Sequence, residues 1–149
     1  MELHPDRVRS IWIWLPIVLI LVGSAACVSG GLGDAENRRN NALRRAALAY
    51  ELRTRGGADE VLVDFGYLEW RDNLGFDGRT VWLNPLAREE YLTLRDPQRS
   101  YIYLHFPQQE DGDFTIEVER GGPSGSLRYR LRLRLQGTDW AVVQDEAIP

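Results

Sequence analysis

Residues 127–135 read Leu-Arg-Tyr-Arg-Leu-Arg-Leu-Arg-Leu, a strict alternation of large apolar side chains with arginine. A helix would scatter that pattern around its axis, whereas a β-strand sends successive side chains to opposite faces. The segment is therefore expected as a strand with one hydrocarbon face and one cationic face. Residues 113–119 carry the complementary alternation, Phe114, Ile116 and Val118 against Asp113, Glu117 and Glu119. Turn-rich breaks at 107–112, 121–125 and 136–139 divide this half of the chain into strands near 100–106, 113–120, 126–135 and 140–145. Connections this short predict an antiparallel four-strand meander.

Register follows from requiring the apolar residues to share a face. Phe114 then pairs with Leu133, Ile116 with Leu131 and Val118 with Tyr129, which sets Glu117 opposite Arg130, Glu119 opposite Arg128 and Asp113 opposite Arg134. The same rule places Ile102, Leu104 and Phe106 beside Val118, Ile116 and Phe114, and Trp140 and Val142 beside Leu135 and Leu133. The arginine row 128, 130, 132, 134 reads as a charge ladder, since carboxylates stand across from most of it. That ladder, with a net charge of −4, argues against a nucleic-acid partner.

Ahead of the sheet, residues 34–55 hold strong helix formers with no proline, Asp34 as N-cap and Gly56-Gly57 as the stop. Leu43, Ala46, Ala47 and Tyr50, with Ala42 and Ala49, form the face expected to lie on the sheet, while Arg38, Arg45 and Glu51 lie on the surface. Residues 60–70 alternate as a long strand with a bulge or bend at Gly66, and 79–83 form a second, short strand. Asn84-Pro85 opens a short helix through about Leu92.

The amino terminus concerns address. Arg7 and Arg9 precede an uncharged apolar run from Ile11 to Val22, which ends in Gly23-Ser-Ala-Ala-Cys27 and is followed by Ser29-Gly-Gly-Leu-Gly33. This arrangement resembles the signal peptide of a bacterial lipoprotein. That resemblance implies lipidation of Cys27 after cleavage, a flexible tether over 28–33 and an extracytoplasmic domain over 34–149. Ordinary cleavage with secretion, or an uncleaved membrane anchor over 1–27, are the alternatives.

Composition removes several chemistries. All 18 basic residues are arginine, Cys27 is the single cysteine and His105 the single histidine beyond His4. Schiff-base lysines, phosphate-loop chemistry, Cys/His zinc sites and an internal disulfide are excluded. No cofactor and no metal is expected: Glu110-Asp-Gly-Asp113 lacks the ordered ligand positions of a calcium loop. What remains is an Asp64–His105 pair, should the first strand curl over the face that carries Tyr103 and His105. Tyr67, Trp70, Phe76 and Trp82 offer an aromatic lining, although aromatics at strand spacing more often serve a core.

The order of one long helix and then an antiparallel sheet, ending in Tyr129-Arg-Leu-Arg-Leu-Arg-Leu-Gln-Gly-Thr-Asp-Trp140-Ala-Val-Val, resembles the NTF2-like and cystatin-like α+β families. The resemblance implies a helix packed on a curved antiparallel sheet around a pocket, whose role the fold does not fix. The expected function is a membrane-tethered or exported, non-catalytic accessory protein that binds a protein partner or a small ligand. The alternatives are a small pocket enzyme using Asp64 and His105, or a secreted ligand-binding domain. The candidate pocket comprises Asp64, Tyr67, Trp70, Trp82, Tyr103 and His105, with Cys27 as lipid anchor.

Overall fold

The computed structural model describes residues 33–84 and 86–149; the apolar run, Cys27 and the tether through Leu32 lie outside them. Asn37–Pro149 forms one compact unit. The architecture is α+β. Helix α1 occupies 33–55, so Asp34 stands within the helix and not at its cap. Seven strands follow, β1 (Glu60–Asp64), β2 (Arg79–Leu83), β3 (Tyr101–Leu104), β4 (Gln108–Glu110), β5 (Asp113–Gly122), β6 (Gly125–Gln136) and β7 (Asp139–Ile148), with helix α2 (Arg88–Leu94) between β2 and β3.

The sheet is open and mixed, ordered β2-β1-β3-β5-β6-β7, with β4 paired to β5 off this path. β1 runs parallel to both β2 and β3, which corrects the expectation of an all-antiparallel sheet. Short turns dictate antiparallel neighbours, but the excursion from 65 to 100, which includes α2, is long enough to return the chain in the same direction. The first strand is also shorter than its alternation implied. It ends at Asp64, and 65–78 leaves the sheet as a loop, so Gly66 marks an exit and not a bulge.

The meander itself follows the apolar pattern. Phe114 pairs with Leu133, Ile116 with Leu131, Val118 with Tyr129, Glu117 with Arg130 and Glu119 with Arg128. Leu133 meets Val142 and Leu135 meets Trp140, before a bulge between Arg132 and Leu133 shifts the rest of β7. On the other side of β5 the expected register slips by two residues: Ile102 faces Arg120 and Leu104 faces Val118. A two-residue slip keeps every side chain on its face, so the apolar pattern cannot distinguish the alternatives. The far end of β5 is instead taken by the β4 hairpin, which leaves Phe106 outside the ladder.

Each face has its own helix. Leu43, Ala47 and Leu48 of α1 close over Val61, Val63, Ile102, Leu104, Ile116, Val118, Leu131 and Leu133. On the opposite face, Leu62, Leu83, Tyr101 and Tyr103 pack with Tyr91 and Leu92 of α2. α2 begins at Arg88 because Asn84 Oδ1 first accepts from the backbone N–H groups of Leu86 and Ala87, closing a turn ahead of the helix. α2 packs on the β1–β3 part of its face; farther across the sheet Asp113 and Thr115 of β5 are buried, while the arginines of β6 stay partly or largely exposed and leave this side open and charged.

α1 departs from its expected apolar stripe. Ala49 is exposed, whereas Glu51 is wholly buried, as are Asn37, Asn40, Asn41 and Arg44. Glu51 gains that position by meeting Arg55 at 2.6 Å and Arg120 at 3.3 Å. Arg120 also donates to the carbonyls of Gly56 (3.0 Å) and Gly57 (3.1 Å), satisfying backbone acceptors just past the helix end. Burial raises the Glu51 carboxyl above its ordinary pKa, and the two arginines oppose that rise.

Candidate functional site

The open face meets the end of β1 at a cleft of about 190 Å³ lined by Asp64, Arg88, His105, Phe106, Gln108, Glu110, Thr115, Glu117 and Arg130. Three structural choices create it. β1 stops at Asp64, so its carboxylate stands at a strand end with no further ladder above it. β3 stops at Leu104, though His105 keeps a backbone hydrogen bond to the Glu117 carbonyl at 2.9 Å. α2 ends the cover on this face, and Arg88 at its first turn reaches across from the side.

Asp64 and His105 do come together, despite lying 41 positions apart in sequence. The Nδ1–Oδ2 distance is 3.7 Å, close enough for a charge on the imidazole to feel the carboxylate but beyond hydrogen-bond reach. The other carboxylate oxygen is taken: the Tyr103 hydroxyl donates to Oδ1 at 2.6 Å. Arg88 adds a cation 3.9 Å from Oδ2. The Tyr103 and His105 rings stack with centroids 4.3 Å apart, as neighbours at alternate strand positions can. His105 Nε2 is buried without a protein partner.

These contacts set protonation. Burial lowers the His105 pKa, and the Arg88 cation acts in the same direction, against the Asp64 carboxylate. The imidazole is therefore neutral at neutral pH, and its Nε2 is enclosed within the protein away from solvent. Burial and the bond to Asp64 push the Tyr103 hydroxyl far above the usual tyrosine range, which keeps it a donor. With Arg88 and Arg130 on the walls beside Glu110 and Glu117, the cleft offers both signs of charge. A volume equivalent to about six waters suits a small polar molecule, below the range of drug-sized sites.

Of the six residues expected to line a pocket, Asp64 and His105 do so and Tyr103 lies directly behind them. Trp82 stands on the α1 side of the sheet, edge-on to Phe65. Tyr67 and Trp70 lie in the loop after β1, 68% and 43% exposed, so they belong neither to the cleft nor to a core. Alternation through Trp70 suggested a strand, but the chain turns out of the sheet at Phe65 and carries them away.

The arginine row is answered by two carboxylates. Glu117 accepts from Arg128 at 2.9 Å and Arg130 at 3.0 Å, and Asp113 accepts from Arg132 and Arg134 at 2.8 Å. Glu119, opposite Arg128 in the backbone register, instead accepts from the Tyr101 hydroxyl.

A second groove, of about 330 Å³, lies beside α2 with Glu60, Arg79, Tyr91, Leu94, Arg95, Asp96 and Arg99 around it. The buried Glu60 there is satisfied by Arg95 at 3.2 Å and the Tyr91 hydroxyl at 3.0 Å. Sequence reasoning missed this pair. A glutamate that opens a β-branched strand was the available signal. Among the described residues, no three His, Cys, Asp or Glu side chains gather as metal ligands, and no helix is long and apolar enough to cross a membrane. Comparison of the chain with protein-family models, curated proteins and solved structures gives no match.

Proposed function

We propose that this protein is a non-catalytic binding domain of the bacterial cell envelope, held at the membrane through Cys27 or the apolar run, which captures a small polar ligand in the Asp64–His105 cleft. The observation that carries the ligand site is the cleft itself, in which Asp64, Glu110, Glu117, Arg88 and Arg130 stand around His105 beside the uncharged Phe106, Gln108 and Thr115. A small polar ligand held there could exchange hydrogen bonds with both signs of charge, which suits recognition of a polar group. The binding role, in preference to a catalytic one, draws on the open setting and on Asp64, whose Oδ1 is engaged by Tyr103. The NTF2-like reading draws on the order of a long helix, two strands, a short helix and an antiparallel series.

A test combines two measurements on the full chain. Thermal melting in the presence of small carboxylic acids, amino acids and sugars should identify a compound that raises Tm in wild type but not in His105→Ala. A panel without such a compound, or an equal rise in both proteins, contradicts the site. Metabolic labelling with a fatty acid should mark wild type and not Cys27→Ala; equal labelling of both, or of neither, removes lipidation at Cys27 and leaves the uncleaved anchor and secretion as the alternatives.

A pocket enzyme is the second reading, favoured by the 3.7 Å approach of His105 to Asp64 in one cleft. A neutral imidazole beside a carboxylate suits a general base. Turnover of a bound compound, lost in both Asp64→Asn and His105→Ala, would establish it over the binding role.

A further inference from the structure

The loop after β1 holds apolar side chains in water, and it is built to do so. Tyr67, Leu68 and Trp70 are 68%, 97% and 43% exposed. Between them Glu69 turns inward, and its side chain is the loop's anchor. Glu69 Oε2 accepts from Arg44 Nη2 at 2.9 Å and from the Gly66 backbone N–H at 2.8 Å, and Oε1 accepts from Asn40 at 2.7 Å. Arg44, itself fully buried, also donates to the Asp64 carbonyl at 2.7 Å, where the loop begins. Asn41 reaches the Trp70 carbonyl at 3.5 Å, where it ends.

A loop so fixed cannot fold its leucine back under cover. Tyr and Trp beside an aliphatic side chain is the composition favoured at a membrane–water interface, where an amphipathic ring has one end in each medium. The place of the loop points to the same occupant. It is tied to the amino-terminal half of α1, through Asn40, Asn41 and Arg44. Ten residues separate Asn37 from Cys27 and fifteen separate it from Val22, where the apolar run ends, and those lengths of chain span at most roughly 35 and 50 Å. Exposed Arg38 and Arg71 flank the region with charge suited to anionic lipid headgroups.

From these observations we infer that the Gly66–Trp70 loop docks in the interface of the membrane that tethers the chain, with Tyr67, Leu68 and Trp70 as its contacts. The inference rests on the tethered reading proposed above. Docking would add a second point of attachment to the anchor and fix the orientation of the cleft relative to the bilayer.

Full-length protein in phosphatidylethanolamine–phosphatidylglycerol vesicles doped with a photoactivatable phospholipid provides the test, read as lipid adducts on tryptic peptides. The peptide ending at Arg38 reports the tether, and Gly56–Arg71 reports the loop. Thr80–Arg88, which carries exposed Leu86, reports random collision. The expected result is adduct on the first two and not on the third. In the Tyr67→Ser, Leu68→Ser double variant the Gly56–Arg71 adduct should fall about tenfold or more, as large apolar groups stop partitioning. These positions are exposed, so the fold should survive their replacement. Adduct on the Arg38 peptide alone overturns docking and leaves the tether standing. Adduct on neither overturns both readings. Equal labelling of Thr80–Arg88, or unchanged labelling in the double variant, also overturns docking.

Discussion

Arg44 Nη2 and Glu69 Oε2 meet at 2.9 Å, with the arginine side chain wholly removed from water. The pair fastens α1 to the point where β1 leaves the sheet, and so places both the cleft, through the Asp64 carbonyl, and the exposed apolar loop. Replacing Arg44 with alanine would strand Glu69 in a largely buried position. The expected destabilisation is about 3–5 kcal/mol, the range for breaking a buried ion pair from one side. Arg45, the next residue, is exposed and bonds the exposed Asp72, so Arg45→Ala should cost under about 1 kcal/mol. Chemical denaturation of the two variants checks the contrast, and equal losses would mean that the Arg44 network holds little.

The core has its own expectation. Ile116 and Leu131 are paired and fully buried beneath α1. Truncating either to alanine should cost about 2–5 kcal/mol, whereas Glu117→Ala, on the open face with two arginines, should cost about 1 kcal/mol or less. A larger loss at Glu117 than at Ile116 would show that the charged face, not the hydrocarbon one, holds the sheet together.

Acid should weaken the fold through His105. Its folded pKa lies below the ordinary 6.5 because burial disfavours the imidazolium. Below about 6.5 the unfolded chain then binds more protons than the folded one, so stability falls as pH drops from about 7 towards 5. Glu51 acts oppositely: its raised carboxyl pKa lets the folded state hold the proton more tightly above the ordinary 4.5. The difference between wild type and His105→Gln isolates the histidine. Denaturant midpoints should converge towards the acid end relative to their separation at pH 7. Parallel pH profiles would contradict the assignment.

The arginine row should not act as a nucleic-acid surface, because all four guanidiniums already hold Asp113 or Glu117. Binding to duplex DNA or single-stranded RNA at physiological salt should be no tighter than about micromolar, the range of non-specific contacts. A tighter complex lost on Arg130→Glu would overturn this.

How far the sequence carried is visible in particular residues. The β5–β6 register was legible because two alternations, apolar and charged, had to agree at once. The β3–β5 register was not, since a slip of two residues preserves both faces. Parallel pairing of β1 was hidden because two-residue alternation carries no strand direction. The buried polar network was written at helical spacing, Asn37, Asn40, Asn41, Arg44 and Glu51, yet polar residues at such spacing ordinarily mark a solvated face. In the cleft, Asp64 and His105 were identifiable as residue types, but their approach depends on where β1 and β3 end. Tyr67 and Trp70 were misplaced for the same reason: alternation persists one turn beyond the strand.

The most direct test of the central claim is an amide and imidazole chemical-shift map of the isotopically labelled full chain in detergent micelles, titrated with acetate, acetamide and glycerol as small polar probes. The cleft account predicts that the shifts concentrate on Asp64, His105, Gln108, Thr115 and Glu117, with the His105 imidazole among the resonances that move. Shifts gathered on the groove of Tyr91, Arg95 and Arg99, or spread evenly over the surface with His105 unmoved, would contradict it.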